Sequence, residues 1–142
     1  MSTTKGKSIL IIDEDEDLTN LFKTFLEYDG YKVDAFNNPV DVLYSFKKDV
    51  YDLVLLDLKI PNMNGLILSE KLKNIDPALL LCFITENKEF IEHIKRYNLD
   101  IENIVIYKPI WLNELRTKVQ SLLSHQQQQK EDKDKLSMMI AL

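Results

Sequence analysis

The stretch VYDLVLLDLKIPNMNG, Val50 to Gly65, decides how the rest of this chain is read. Leu53, Val54, Leu55 and Leu56 are apolar without alternation, the pattern of a short strand covered on both faces. Asp57 follows at the C-terminal end of that strand, and beyond Pro61 the pair Asn64-Gly65 opens a helix. In an open α/β sheet, ligands bind at the C-terminal ends of the strands. An aspartate in this position also serves simply to begin a turn. On the position of Asp57 alone, the turn reading stands somewhat ahead.

Outward from this run, short apolar segments alternate with helical patterns five times. The strands are Ser8–Ile12, Tyr31–Phe36, Leu53–Leu56, Leu79–Ile84 and Ile104–Tyr107. Between the first two, Leu18, Leu21, Phe22, Phe25 and Leu26 follow helical spacing, and Gly30 is suited to stop that helix. Pro39 suits the first position of a second helix carrying Val40, Leu43 and Phe46. Leu66–Ile75 is the third, and Phe90, Ile91 and Ile94 mark the fourth. Leu112, Leu115, Val119 and Leu122 form the inner face of the last. Such alternation predicts right-handed crossovers and a parallel sheet with helices on both faces.

At 142 residues the chain fits one domain, and 45% hydrophobic with 29% charged residues is ordinary for a globular core. A net charge of −5 without a basic stripe argues against nucleic-acid binding. No apolar run reaches membrane-spanning length and no secretory leader opens the chain, which predicts a cytoplasmic protein without a membrane partner. The lone Cys82 lies inside LLLCFI and reads as a core residue in a reducing compartment. The composition divides the chain into a tail at 1–7, a domain at 8–124 and a polar tail at 125–142, with HQQQQKEDKDK expected to be disordered. The apolar end, Leu136 to Leu142, reads as a frayed terminus or as a docking segment for a partner or a second subunit.

Parallel strands bring their C-terminal ends to one edge. The first ends in Asp13-Glu14, the third in Asp57, the fourth in Thr85 and the fifth in Lys108-Pro109. Asp15, Glu16 and Asp17 suit the first turn of a helix, where negative charge is favourable. Asp13 and Glu14 join the strand directly and are less well explained that way. Carboxylates gathered in one crevice resist ionisation unless a cation sits among them. Oxygen donors of this kind suit Mg²⁺, which commonly works with phosphate. A nearby ammonium and hydroxyl could then stabilise a phosphoryl group carried on a carboxylate.

These residues closely resemble the receiver domain of two-component response regulators, of the single-domain kind seen in chemotaxis and sporulation-phosphorelay regulators. The resemblance runs from about Ser8 to Ser124. It rests on Asp13-Glu14 after ILII, on DLVLLDLKIPNMNG around Asp57, on Thr85 after a hydrophobic strand, and on YKPI around Lys108. It implies a flavodoxin-like, doubly wound (βα)5 fold with five parallel strands in the order 2-1-3-4-5. It also implies that Asp57 takes a phosphoryl group from a sensor histidine kinase or a histidine phosphotransfer protein. Asp13, Glu14, Asp57 and the Lys59 backbone carbonyl would hold Mg²⁺, and Thr85 and Lys108 would contact the phosphoryl oxygens. The Lys108-Pro109 peptide is expected to be cis. Such a domain is not an enzyme beyond catalysing its own phosphorylation and dephosphorylation. Output would pass through a downstream protein that the sequence does not name, from a monomer or weak dimer.

Four positions depart from the family pattern: Glu14 where Asp is usual, Glu86 where a small residue follows Thr85, NLDIENIVIY without the usual Gly-Ala, and Val105 in place of an aromatic. Alternation along the fifth strand puts Tyr107 on the same side as Val105, nearer the site. An alternative register would use Asp15 as the second acid. A pseudo-receiver, binding partners without phosphorylation, is the competing reading. A haloacid-dehalogenase-like phosphatase is opposed by Lys59 where a second aspartate belongs. A flavodoxin-like FMN protein is opposed by the absence of a Ser/Thr/Gly-rich loop after the first strand.

Overall fold

Three strands of near-uniform apolar sequence form the centre of the molecule: β1 (Ser8–Ile12), β3 (Leu53–Asp57) and β6 (Leu81–Thr85). In this computed structural model, which describes residues 6–97 and 99–141, they join β2 (Lys32–Phe36) and β7 (Val105–Tyr107) in one parallel sheet. Its order is β2-β1-β3-β6-β7. A two-stranded hairpin, β4 (Lys59–Ile60) with β5 (Met63–Asn64), stands apart from it. Numbered without that hairpin, the sheet has the expected order 2-1-3-4-5.

Strand alternation divides the core into two layers. Leu10, Ile12, Val54 and Leu56 face α2 (Pro39–Ser45), α3 (Gly65–Ile75) and α4 (Lys88–Lys95), where Val42, Leu72 and Ile91 meet them. Ile9, Ile11, Leu53 and Leu55 face α1 (Glu16–Tyr28) and α5 (Leu112–Ala141), where Phe22, Leu26 and Val119 close the second layer. Each such side chain, fully buried, contributes about 1.5–3 kcal/mol. Cys82 is among them, and burial pushes its thiol up to about 12.

The helices start where short polar side chains can cap them. Asp15 accepts the Leu18 N–H ahead of α1, Asn38 accepts the Val40 N–H ahead of Pro39, and Asn64 and Asn87 cap α3 and α4. Gly30, at φ 100°, turns the chain after α1.

Apart from one-residue shifts at the ends of the third and fourth strands and the start of the third helix, boundaries differ from the sequence reading at four places. The fourth sheet strand begins at Leu81, because pairing with β3 starts there and Leu79 is held in a turn by its N–H to the Asp76 carbonyl. The second begins at Lys32, leaving Tyr31 buried just outside it. The segment without Gly-Ala forms a 3₁₀ helix at Leu99–Ile104, which shortens the last strand to three residues. The fourth difference is the largest. The expected disordered tail is instead a continuation of α5 through Ala141. Glutamine and lysine are good helix formers, and i,i+4 contacts from Gln127 to Glu131 and from Gln128 to Asp132 link successive turns.

Candidate functional site

The sheet order makes a crevice beside β3, where chain connections leave in opposite directions. Asp57, the last residue of β3, lies there at 5% exposure, as part of the strand and not of a turn. Its Oδ1 accepts the Lys59 N–H at 2.7 Å and its Oδ2 the Lys108 ammonium at 2.5 Å. Asp13, one residue past β1 and 1% exposed, gives Oδ2 to the same ammonium at 2.9 Å. Its Oδ1 accepts the Asp15 N–H. Lys108 reaches this position because its own N–H donates to the Thr85 carbonyl, tying the end of β7 to β6. The peptide that follows, Lys108-Pro109, is cis, as the resemblance implied.

Two carboxylates buried beside one ammonium disturb one another. Burial is the main force raising the Asp13 carboxyl above its ordinary value; hydrogen bonds from the Asp15 N–H and Lys108 oppose it, and neighbouring Asp57 adds to it. For Lys108, burial pulls the ammonium down, but the hydrogen bonds to Asp57 and Asp13 outweigh it and the net direction is up. Lys108 therefore holds its proton firmly and serves as a fixed positive charge.

A cleft of about 470 Å³ opens above this pair, with Glu14, Lys59, Thr85 and Glu86 in its wall. Thr85 is 5% exposed and its Oγ1 accepts the Asn87 N–H at 3.0 Å. Glu14 is exposed on the rim. Asp15 is spent on the cap of α1, so Glu14 and not Asp15 faces the crevice. Lys59 opens the hairpin, where it pairs with Asn64.

Leu58, Asn64, Asn87 and Phe90 were not among the site residues read from the sequence, although the 86–90 loop was expected to respond to phosphorylation. Asn64 and Asn87 line the cleft as well as capping helices, Leu58 follows Asp57 in its wall, and Phe90 lines it one turn into α4. The signal for Asn87 was its place two residues after Thr85. Gly65 was legible only as a helix opener. A Cβ there would stand 2.6 Å from the Asp57 carbonyl oxygen and 2.7 Å from the Leu58 Cα, so a side chain is excluded by the very strand end that carries Asp57.

Comparison with known proteins gives the same direction. A family model, the response regulator receiver domain, matches residues 9–120. Sensor protein EvgS of Escherichia coli (strain K12) is 32% identical over 115 residues, covering 81% of this chain and 10% of EvgS. The transcriptional regulatory protein CpxR homolog of Haemophilus influenzae is 29% identical over 117 residues, covering 81% of this chain and 49% of that protein. The chain thus spans half or less of these curated relatives. A CheY-like receiver domain from Methanospirillum hungatei JF-1 superposes with TM-score 0.77 at 26% identity, covering 88% of this chain and 99% of that one. The non-phosphorylated HemR receiver domain of Leptospira biflexa gives 0.74 at 28%, covering 83% and 94%. With the sheet order, the crevice and the sequence match in agreement, the chain belongs to the response regulator receiver domain family.

Proposed function

We propose that Asp57 is the phosphoacceptor of a two-component or phosphorelay pathway. The donor is a phosphohistidine on a sensor histidine kinase or a histidine phosphotransfer protein. A carboxylate oxygen of Asp57 attacks phosphorus, the P–N bond to imidazole breaks, and the histidine leaves as it takes up a proton. The product is an acyl phosphate, which water later cleaves to restore the carboxylate. The observation that carries this reading is the fixing of Asp57 at the crevice floor by Lys108 and the Lys59 N–H. Those two donors hold the nucleophile in place, and Lys108 offers positive charge where phosphoryl charge arrives. Thr85, in the cleft wall, can donate its hydroxyl once it turns from Asn87.

Receiver domains typically bind Mg²⁺ in their acidic pocket, and the donor set here suits it. Asp13 and Asp57 already converge on one cation, all donors are hard oxygens, and the open cleft has room for retained water. Among the described residues no three acidic, His or Cys side chains converge on one point. Glu14, on the rim, is the residue that completes the set with the Lys59 carbonyl. Bound there, the ion would neutralise phosphoryl charge. Glu14→Gln is expected to weaken Mg²⁺ binding about tenfold, equivalent to about 1.4 kcal/mol. Asp15→Asn should leave it within about twofold, since Asn caps a helix as well as Asp. Titration calorimetry on both variants decides: the opposite ranking would shift the metal register by one residue.

Incubation with acetyl phosphate and Mg²⁺, followed by peptide mass analysis, tests the central assignment. A phosphoryl increment on Asp57 supports it. No increment under conditions that label another receiver would favour the pseudo-receiver reading, output then resting on binding alone.

How phosphorylation changes shape is carried by β7. Val105 is 6% exposed beside Phe83, while Tyr107 pairs with Thr85 in the ladder. Tyr107 donates its hydroxyl to Glu102 at 3.0 Å, and the Lys88 ammonium lies 5.5 Å from its ring centre. Movement of Thr85 is therefore read by Tyr107 and by residues 86–90. With beryllofluoride and Mg²⁺, NMR shifts should be large at those positions and small at Val105. Lys108→Ala should keep Mg²⁺ binding but lose that response; an unaltered response would make the charge on Lys108 incidental.

A further inference from the structure

At the pole opposite Asp57, α5 runs on past the sheet. Val119 and Leu123 are buried in the second core layer, yet the helix continues to Ala141 beyond the N-terminal ends of the strands. A cleft of about 640 Å³ lies beneath this overhang. Asp49, Asp52 and Asp76 line its domain side, and Gln126, Lys130 and Lys133 line its helix side, with Lys7 beside them.

Asp76 is 3% exposed and only half satisfied. Its Oδ2 accepts the Asp49 N–H at 3.1 Å, holding a turn in which Asp49 has φ 64°. Its Oδ1 is buried and without a hydrogen-bond partner. A carboxylate oxygen in that condition is costly and calls for a donor. The other buried side-chain atom without a partner among the described residues is the Tyr31 hydroxyl. It lines a neighbouring cleft whose opposite wall is again α5, at Gln127 and Glu131. Both residues that carry an unsatisfied group thus line clefts bounded by α5.

Lys130 and Lys133 stand one turn apart on one helix face, each with three donors on a flexible stem. Among the described residues no ion pair joins either to an aspartate of the cleft. We propose that the aspartate cleft binds a primary ammonium. Its occupant is the chain's own Lys130 or Lys133, which latches the C-terminal half of α5 onto the base of the domain. An external amine would have to pass Lys7, Lys130 and Lys133, whereas the helix lysines are tethered at the mouth at high effective concentration. The latch sets where the exposed apolar end at Leu136, Met139 and Ile140 points. It stands whether or not Asp57 is phosphorylated.

The full chain, spin-labelled at Lys48→Cys and Ser137→Cys, tests this by pulsed electron–electron distance measurement; Cys82 is buried and stays unlabelled. Hydrogen exchange of amides 124–135 gives a second readout. At low salt the distance distribution should be narrow, and Lys130→Gln with Lys133→Gln should broaden it and cut protection about tenfold. Gln keeps helix propensity close to that of Lys, so loss of helix is not the cause. About 1 M NaCl should act like the double substitution. Asp76→Asn, whose carbonyl can still accept the Asp49 N–H, should do the same. An unchanged distribution and unchanged protection in the lysine double variant would overturn the latch. A response to added spermidine alone, with none to the lysine substitutions, would overturn the assignment of the occupant.

Discussion

Asp57→Asn should lose phosphorylation completely under acetyl phosphate and Mg²⁺, while the fold stays intact. The amide is a poor nucleophile, and no other described carboxylate lies at the crevice floor with a free approach from the cleft. Asp13 is 1% exposed and outside the cleft lining, and Glu14 sits on the rim. The expected loss is at least about a hundredfold in labelling rate, the scale of removing a reacting group. Stability should move by no more than about 1 kcal/mol, an ordinary value for a single substitution. Lys108 keeps Asp13 as partner, and one of two mutually repelling carboxylates is gone. Intact-mass measurement with circular dichroism separates the two outcomes. Labelling of the variant at wild-type stoichiometry would remove Asp57 from the role.

Gly65→Ala should destabilise the protein, against its helix propensity. Gly65 begins α3, where Ala is intrinsically better by up to about 1 kcal/mol. The new Cβ, however, would meet the Asp57 carbonyl oxygen at 2.6 Å and the Leu58 Cα at 2.7 Å. Those are backbone atoms, and Leu58 is held on both sides: its N–H donates to the Ile84 carbonyl, and its own carbonyl accepts the Gly65 N–H. Neither can yield without moving the strand end. Overpacking of this kind costs about 1–3 kcal/mol, and the upper end is expected because no flexible side chain absorbs the clash. The sign is then set by sterics, not propensity. Phosphorylation of Asp57 should slow as well, since the displaced segment carries it. Urea unfolding gives the answer; a midpoint equal to or above that of the parent chain would mean that α3 shifts freely against β3.

Much of this was legible from residue order because it depends on short-range pattern. Continuous apolar runs mark strands covered on both faces, and strands of one sheet joined by helices run parallel. That is enough to send Asp13, Asp57, Thr85 and Lys108 to one edge. Asn38-Pro39, Asp15 and Gly30 are likewise local signals, because a cap or a left-handed turn is decided within a few residues.

The tertiary structure decided what depends on distances across the chain. That Lys108 bridges Asp13 and Asp57, 95 and 51 residues away, follows from the side-by-side placement of β1, β3, β6 and β7. Polar composition at 125–135 pointed to disorder, yet the segment grows from a helix already nucleated and anchored by Leu115, Val119 and Leu123. Continuing a helix costs far less than starting one. The cleft under that overhang, with the half-satisfied Asp76, joins residues from four separate stretches of sequence and left no local trace. From its sequence alone the protein is a five-strand parallel α/β domain with acidic strand ends and one lysine among them. Which carboxylates share that lysine and which glycine cannot change were settled only by packing, since each depends on atoms that the chain brings together from afar.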